Sequence, residues 1–263
     1  MLLYSIKILR LLWLLVWGLT LVTLAFPVLN EKLRLALIRA WSKSMLRLFG
    51  IRLRVNHPEN LPPGSAMVVL NHISWIDIYV LNAFRPAYFI AKADIANWPL
   101  IGFLCARCGT IFIERGKRHA VRAVNEKVKA LLENGARVAC FPEGTTTNGQ
   151  HLIPFHANLL QAPLDVKAPV VPIALRYLDA QGNIAKSVDY SGSITMWQTM
   201  QAMWDAARQG GVTAQLDVLP PFASAGSRHE LAHAAQQVIM EATGLSVHAP
   251  QAVPSSSDSP SAA

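Results

Sequence analysis

Residue types suited to general-base chemistry occur together in the stretch Asn71-His72-Ile73-Ser74-Trp75-Ile76-Asp77. Histidine is the usual general base near neutral pH, and a carboxylate is its usual orienting partner. His72 and Asp77 are five residues apart, which on one regular helix would separate their side chains by about 140°. The two side chains can therefore meet only if His72 lies in a turn before the helix that carries Asp77.

The flanking pattern predicts such a turn. Ala66–Leu70 is a continuous apolar run typical of a buried strand, and residues 75–84 are predicted to form a helix. His72 then lies between strand and helix, with Asp77 a few residues inside the helix. An alternative is structural: Ser74 and Asp77 have the S-x-x-D spacing of a capping pair, in which Asp77 would only cap the helix.

Strands and helices alternate through residues 51–245, which predicts one α/β domain with a mixed, largely parallel sheet flanked by helices. In such folds the loops at the carboxyl ends of the strands form the site. Four clusters are placed there: His72 with Asp77, Lys92, Arg115, and Glu143-Gly144-Thr145. Pro172 interrupts a further predicted strand, residues 169–175, and favours an edge or a bend of the sheet for it.

The N-terminal residues 1–50 have the composition of a membrane-associated segment. The chain has 263 residues, of which 52% are hydrophobic and 15% charged, a departure from the globular average toward membrane association. Residues 8–29 are almost wholly apolar and match the roughly 20 residues that a helix needs to cross a bilayer. Two alternatives are a signal peptide, which requires a shorter apolar run and a cleavage site, and a helix lying in one leaflet.

The net charge of +8 is also an N-terminal property, since residues 1–54 contain nine Lys or Arg and a single acid. The rest of the chain is balanced, which argues against a nucleic-acid surface and favours anionic lipid headgroups as partners. The positive-inside bias places the following domain on the cytosolic side of the inner cell membrane. Residues 31–49 are predicted as a basic amphipathic helix on the membrane surface, the alternative being a helix docked on the domain.

Other signals carry less weight. Three cysteines are too few for a disulfide framework. The H-E-x-x-H pattern that begins at His229 resembles a zinc motif, but Glu230 is better placed to form a capping box with Ser227, and no metal is expected. Residues 246–263 are rich in Pro, Ser and Ala, which predicts a disordered tail.

Four blocks in order make the chain resemble the glycerolipid acyltransferase family, which includes the 1-acylglycerol-3-phosphate acyltransferases. They are Asn71 to Asp77, Gly109-Thr110-Ile111-Phe112-Ile113-Glu114-Arg115, Phe141-Pro142-Glu143-Gly144-Thr145, and Val170-Val171-Pro172-Ile173-Ala174-Leu175. Lys92 with Trp98-Pro99-Leu100-Ile101-Gly102 resembles the family's segment between the first two blocks. Each block alone is weak, but the ordered set is specific.

The resemblance implies transfer of an acyl chain from a thioester to the free hydroxyl of 1-acylglycerol-3-phosphate, giving phosphatidic acid. The donor would be acyl-CoA or an acylated carrier protein, and no cofactor beyond this co-substrate is expected. His72 would deprotonate the acceptor hydroxyl and Asp77 would orient the imidazole, with no acyl-enzyme. Two other functions remain open: acylation of another lysolipid, such as a lyso-ornithine lipid, and lipid binding without catalysis.

The resemblance also implies roles for the remaining site residues. Arg115 would hold the acceptor phosphate and Lys92 would add positive charge there. Glu143 and Gly144 would place the glycerol phosphate, and Thr145 would donate a hydroxyl. Pro172 would shape the acyl or acceptor pocket, and a backbone N–H near His72 would stabilise the thioester oxyanion.

Overall fold

The computed structural model describes residues 2–114 and 118–248. Its helices are α1 (Leu2–Thr20), α2 (Glu31–Leu48), α3 (Asp77–Phe84), α4 (Ile101–Arg107), α5 (Arg118–Glu133), α6 (Gln161–Val166), α7 (Met196–Arg208) and α8 (Arg228–Thr243). Its strands are β1 (Ile51–Asn56), β2 (Ala66–Leu70), β3 (Tyr88–Lys92), β4 (Ile111–Ile113), β5 (Arg137–Cys140), β6 (Val170–Leu178) and β7 (Val212–Val218).

The strands form one sheet of seven in the order β1-β7-β6-β2-β5-β3-β4. Strands β6, β2, β5, β3 and β4 run parallel to one another. Strand β7 is antiparallel to β6 and parallel to β1, so these last two reverse the direction of the sheet. The predicted α/β fold, with a mixed and largely parallel sheet flanked by helices, is confirmed.

Strand β2 shows why the sheet is covered on both faces. All five of its residues are fully buried, as a central parallel strand requires. Because successive side chains point to opposite faces, Val68 and Leu70 join a core with α2, α3 and α7. Met67 and Val69 join a second core with α5, α6 and α8. The end of β2, where His72 follows, is thus fixed from both sides.

Pro172 lies inside the sheet, so the predicted edge position is wrong. Strand β6 pairs with β2 on one side, with Val69 opposite Pro172, and with β7 on the other. The carbonyl of Pro172 accepts a hydrogen bond from Leu219 just where β7 ends. The missing N–H of the proline therefore faces residues 219–221, where the chain leaves the ladder and a donor is not needed.

Helix α1 lies along the domain. In its first turns the Tyr4 hydroxyl donates to Asp205, and Lys7 Nζ donates to the carbonyl of Trp204 at 3.2 Å. Farther on, the carbonyl of Leu14 accepts from the Trp41 indole at 3.0 Å. The π-helical turn Leu21–Ala25 continues α1 and also packs on the domain, with Val22 buried. Both ends of the apolar segment therefore contact the same globular body.

The other face of this segment is exposed and apolar. Within residues 2–114 and 118–248, one helix, Tyr4–Ala25, is long and apolar enough to cross a membrane, and only 17% of its apolar window is buried. Its outward side chains are Ile6, Leu9, Leu12, Trp13, Val16 and Leu24. A core helix of a soluble protein would bury most of these groups, so the exposed face is suited to lipid.

Helix α2 uses its apolar stripe within the protein, and the prediction that this stripe faces a membrane is wrong. Met45 is 3% exposed, and the Trp41 ring packs against the Tyr79 ring of α3. A Cβ at Gly18 of α1 would lie 3.1 Å from the Trp41 indole nitrogen, which shows how closely the two helices approach. The alternative of a helix docked on the domain is the one observed, because α1 and α3 cover the stripe.

The ordered chain extends past the predicted start of the tail at residue 246. The carbonyl of Ser246 accepts from Leu152, and His248 donates to the carbonyl of Leu152. These hydrogen bonds hold residues 246–248 against Leu152, and amino-acid composition alone cannot predict such a backbone pairing. The remainder of the predicted tail, residues 249–263, lies outside the described residues.

Candidate active site

His72 and Asp77 meet as the sequence required. The His72 Nδ1 lies 2.8 Å from Asp77 Oδ2. Helix α3 begins at Asp77 rather than at residue 75, so His72 lies in the preceding turn and its ring reaches the carboxylate. The Asp77 side chain is fully buried, whereas 19% of the His72 side chain is exposed. The pair therefore has a buried acid and a base that substrate can reach.

Further donors fix the Asp77 carboxylate. Oδ2 also accepts the backbone N–H groups of Ile73 at 2.8 Å and Ser74 at 3.0 Å. Oδ1 accepts the hydroxyl of Tyr177 at 2.6 Å. Asp77 is thus held in one orientation, against the strand–helix turn.

The alternative in which Ser74 and Asp77 only cap the helix is wrong. The cap position is Ile76, which makes no side-chain cap bond. Among the described residues, the buried Ser74 hydroxyl oxygen has no hydrogen-bond partner. Asp77 does accept two backbone N–H groups of the turn, but its carboxylate points back toward His72 and binds the imidazole as well. The turn is folded around the carboxylate because Asp77 satisfies these donors.

This geometry sets the roles of the two imidazole nitrogens. With the Asp77 oxygen as acceptor at Nδ1, a neutral ring carries its proton there and presents the Nε2 lone pair on the other side. The His72 ring also stacks on Phe141, with ring centroids 3.9 Å apart and planes 12° from parallel. The carboxylate and the stacking ring together restrict rotation of the imidazole. His72 is therefore arranged to accept a proton at Nε2.

The third block clamps the backbone of His72. Glu143 Oε1 accepts the His72 N–H at 2.7 Å. Thr147 donates its N–H to the His72 carbonyl at 2.9 Å, and its hydroxyl lies 3.3 Å from the same oxygen. Both polar backbone groups of His72 are therefore bound by one loop. These hydrogen bonds join the first block to the loop that contains the third block, about 70 residues farther along the chain.

The fourth block is tied to the first by Asn71. Its side-chain amide donates to the carbonyl of Leu175 at 2.9 Å and accepts the Leu175 N–H at 2.8 Å. Two residues farther along β6, Tyr177 reaches Asp77. Sequence reasoning assigned no role to Asn71, Thr147 or Tyr177. A tyrosine two positions beyond the fourth block would face the same side of the strand as Leu175, and this period is the signal that could have indicated it.

Glu143 faces inward, not toward a substrate. It is 2% exposed, and its second oxygen accepts the Ile153 N–H at 3.2 Å. Burial raises the pKa of Glu143 to about 8, although the two N–H donors oppose that rise. The expected contact with glycerol phosphate does not match this geometry, because both oxygens are occupied by the backbone. Glu143 is a positioning residue that acts through His72.

Gly144 and Thr145 lie differently in the same turn. Gly144 has a φ of 74°, in the left-handed region that suits glycine, and its N–H is bound to the carbonyl of Phe141. That N–H is therefore not directed at a ligand. Thr145 is exposed, so its hydroxyl remains accessible to a substrate.

The backbone N–H groups nearest the imidazole are already used. Those of His72, Ile73 and Ser74 bind the carboxylates of Glu143 and Asp77. An oxyanion donor supplied by any of these three does not fit the structure, because each would have to release a carboxylate first.

Lys92 ends β3 at the same edge of the sheet. It is opposite Ile113, the last residue of β4 and two before Arg115. Its ammonium forms an ion pair with Asp94, and its side chain is half exposed. An exposed ion pair is worth only about 0–1 kcal/mol, so an anionic ligand can displace Asp94. Arg115 itself lies outside the described residues.

Several comparisons with known proteins agree with this geometry. A family model described as Acyltransferase matches residues 52–176. A lyso-ornithine lipid O-acyltransferase of Pseudomonas aeruginosa is 35% identical over 208 residues, covering 79% of this chain and 78% of the relative. This chain belongs to the acyltransferase family.

Other members of the acyltransferase family differ in their named acceptor. A 1-acyl-sn-glycerol-3-phosphate acyltransferase of Neisseria gonorrhoeae is 38% identical over 152 residues, or 58% of this chain. The chain spans only about three fifths of that relative's length, and 58% of its counterpart in Neisseria meningitidis. The human 1-acyl-sn-glycerol-3-phosphate acyltransferase alpha is 30% identical over 167 residues, which cover 60% of this chain and 59% of the human protein.

A solved structure supports the fold. The crystal structure of the 1-acyl-sn-glycerophosphate acyltransferase PlsC from Thermotoga maritima superposes with a TM-score of 0.64. It covers 90% of this chain and 96% of its own, at 21% sequence identity. The agreement in fold therefore extends over nine tenths of this chain.

Proposed function

We propose that this protein transfers an acyl chain from a thioester to the free hydroxyl of 1-acylglycerol-3-phosphate, with His72 as general base. The observation that carries the proposal is the His72–Asp77 pair, 2.8 Å apart, with a buried carboxylate that accepts three further donors. A base so oriented, at the carboxyl edge of an α/β sheet and partly exposed, is suited to remove a proton from an incoming hydroxyl.

The reaction needs no covalent enzyme intermediate. His72 Nε2 accepts the proton of the acceptor hydroxyl while its oxygen attacks the thioester carbonyl. The tetrahedral intermediate then breaks its C–S bond, giving the ester, and the imidazolium returns the proton to the leaving thiolate. Asp77 stabilises the imidazolium formed between these steps. Acyl-CoA and an acylated carrier protein both supply the required thioester.

The acceptor phosphate would bind at the ends of β3 and β4. Lys92 supplies a half-exposed ammonium there, and its weak pair with Asp94 leaves it free to exchange partners. Arg115, two residues beyond β4, would add a planar guanidinium suited to bidentate phosphate binding. Thr145, exposed after β5, would add a hydroxyl. Pro172, buried in β6, would limit the floor of the pocket.

A second acceptor class has a specific observation in its favour. Among the relatives compared above by sequence identity of 30% or more, the one that matches the largest share of the chain is a lyso-ornithine lipid O-acyltransferase. A lyso-ornithine lipid has no phosphate, so Lys92 would contribute little to its binding. The two acceptors therefore predict different consequences for the same substitution.

The test is to assay purified protein in vesicles with a panel of lysolipids, each with acyl-CoA and with acylated carrier protein. We expect lysophosphatidic acid to be acylated, with KM rising about tenfold in Lys92→Ala, which corresponds to about 1.4 kcal/mol. The exposed Lys127→Ala on α5 is the matched control, because it removes the same charge from a helix surface and not from the end of a strand. Activity confined to phosphate-free acceptors would overturn the leading acceptor.

A lipid-binding protein without catalysis remains the alternative outside the enzyme class. It predicts that His72→Ala leaves the cellular function intact. Acyl transfer predicts a loss of turnover of about 10²–10⁴-fold in that variant while its thermal unfolding is unchanged.

For location, we propose the surface of the inner membrane, with the catalytic domain in the cytosol and α1 lying in one leaflet. Contacts at Tyr4, Leu14 and Val22 hold the apolar segment to the domain along its length. Such a helix can bury its exposed apolar face in lipid without crossing the bilayer. The N-terminal excess of basic residues would add attraction to anionic headgroups.

A further inference from the structure

Three large apolar side chains are exposed in the segment that follows β3 and in the first turn of α4, outside the N-terminal helices. Trp98 is 38% exposed, Leu100 is 56% and Phe103 is 43%. We call Trp98, Leu100 and Phe103 the apolar ridge. Residues 96–100 are all exposed, so the ridge projects from the domain. A cluster of this kind marks an interaction surface more often than a random exposed residue does.

The backbone at Leu100 is strained in a way that displays its side chain. Leu100 has φ 62° and ψ −48°, and the Ile101 N–H donates to the carbonyl of Pro99 at 2.7 Å. This is a γ-turn of the positive-φ type, which is rare and strained. A non-glycine residue in such a conformation costs about 1–3 kcal/mol. The fold thus keeps a leucine, half exposed, where glycine would be more stable.

The base of the ridge is rigid. The Gly102 N–H donates to the carbonyl of Trp98 at 2.8 Å. A Cβ on Gly102 would lie 2.2 Å from the carbonyl oxygen of Ala96, so only glycine allows α4 to pack this closely on the preceding turn. The three apolar side chains are therefore held in place rather than free to fold back onto the core.

The ridge continues the exposed apolar face of the N-terminal segment. Helix α4, which carries Phe103, packs against the π-helical turn Leu21–Ala25. In that turn Leu24 is 70% exposed. The two surfaces are thus neighbours, and whatever covers Leu24 is placed to cover Phe103 as well.

The chemistry of the ridge favours a lipid surface over an aqueous partner. The Arg107 guanidinium lies 5.3 Å from the centre of the Phe103 ring. Tryptophan and arginine are typical of the level where headgroups meet acyl chains, since each combines an apolar body with a polar end. Trp98 and Arg107 would lie at that level, and Leu100 and Phe103 below it.

The ridge also stands at the rim of the candidate site. It follows Lys92 after one short 3-10 turn, Ala93–Asn97. Strand β3, which ends at Lys92, is two strands from β2, which leads to His72. At the usual strand spacing this separates the two strand ends by about 10 Å.

We propose that the apolar ridge is a second membrane-docking element that inserts into the bilayer surface beside α1 and holds the rim of the active site against lipid. The inference rests on the proposed function, since it takes the acceptor to be a lysolipid in a membrane. Its occupant is a phospholipid bilayer. The ridge would let a lysolipid enter the site without leaving the membrane.

The test uses Leu100→Gly together with Trp98→Ser. Glycine relieves the positive φ, so this variant should unfold at a temperature equal to or above that of the parent, and a loss of function cannot be attributed to misfolding. Ile184→Ser is the matched control, because Ile184 is 39% exposed but lies in the loop after β6. Each protein is assayed with a long-chain lysolipid in vesicles and with a short-chain lysolipid dissolved below its micelle concentration.

We expect the ridge variant to show a rise of about tenfold in KM for the vesicle acceptor, or about 1.4 kcal/mol. Turnover of the dissolved acceptor should stay within about twofold, and Ile184→Ser should match the parent in both assays. An unchanged vesicle KM in the ridge variant would overturn the inference. The inference would also be overturned if the parent were a dimer and the ridge variant a monomer, because the surface covering the ridge would then be a second copy of the chain. A parent inactive on both acceptors would instead remove the proposed function.

Discussion

The Tyr177 hydroxyl donates to Asp77 Oδ1 at 2.6 Å, from a strand 100 residues farther along the chain. Burial, together with the neighbouring Asp77 carboxylate, raises the pKa of Tyr177 well above its ordinary value, so the hydroxyl keeps its proton and remains a donor. The opposite oxygen of Asp77 faces His72. Tyr177 thus fixes the rotation of the carboxylate about its own axis, which makes it a positioning residue for the imidazole.

Tyr177→Phe should lower kcat about tenfold, equivalent to about 1.4 kcal/mol, because Asp77 loses the contact that sets its orientation. The free energy of unfolding should fall by about 1–3 kcal/mol, since a buried carboxylate oxygen is left without its donor. KM for both substrates should stay within about twofold, because the substitution acts on the orientation of the imidazole and not on substrate binding. Steady-state kinetics and thermal unfolding provide the measurements.

Tyr79→Phe is the control for this substitution, because it removes the hydroxyl of another tyrosine, a half-buried one on α3 that packs against Trp41. It should leave kcat unchanged. A Tyr177→Phe enzyme with a lower melting temperature but an unaltered kcat would show that Tyr177 is only a structural residue.

Asp77→Asn should reduce kcat about 10²–10⁴-fold, because the neutral amide neither orients nor stabilises the imidazolium. In the parent, donors bind both oxygens of the Asp77 carboxylate, and Ile73 and Ser74 are among them. The asparagine amide offers only one acceptor oxygen, so it cannot satisfy all of these donors. We therefore expect a loss of about 1–3 kcal/mol in the free energy of unfolding. Single-turnover assays and denaturant titration measure the two effects.

Asp165→Asn, an exposed change on α6, should alter neither quantity and serves as the control. Retention of more than a tenth of the parent's kcat in Asp77→Asn would contradict the general-base assignment.

Glu143→Gln should change how stability depends on pH. With a folded-state pKa of about 8 against an ordinary value of 4.5, the folded protein binds a proton between these pH values that the unfolded chain lacks. The contribution of Glu143 is therefore fully present below about pH 4.5 and is lost as pH rises through 8. The slope approaches about −1.4 kcal/mol per pH unit within that window.

The glutamine variant should lack this component, so its unfolding free energy should fall less between pH 5 and 8 than that of the parent. Glu133→Gln, an exposed change at the end of α5, should keep the parent's slope. Parallel pH dependences for parent and Glu143→Gln would show that the carboxyl ionises at an ordinary pH.

The proposed orientation of α1 can be measured by depth. Single cysteines at Leu9 and Leu24, both exposed, would carry a fluorophore in a background with Cys105, Cys108 and Cys140 replaced by Ala. The two positions are about 22 Å apart along a helix. Quenching by lipid-borne nitroxides should place both at the same shallow depth. A depth difference near 20 Å would show that the segment crosses the bilayer.

The sequence by itself determined most of what depends on local pattern. The apolar run of β2 and the alternation of strands and helices predicted an α/β sheet with the candidate site residues at strand ends. This was possible because a strand that is buried on both faces consists of consecutive apolar residues, which can be recognised locally. The five-residue spacing from His72 to Asp77 also required the turn that is observed. The capping box of Ser227 and Glu230 is present as predicted.

Only the tertiary structure decided which groups complete the site. Tyr177, Thr147 and Asn71 act through contacts across about 70 to 100 residues, and a local period can give the side of a strand that a residue faces but not its distant partner. Glu143 shows the same limit, because whether a carboxylate faces a ligand or a backbone N–H depends on the packing around it. The interior position of Pro172 was likewise set by where β7 ends. Local periodicity therefore predicted the elements, and long-range hydrogen bonds decided how they hold His72.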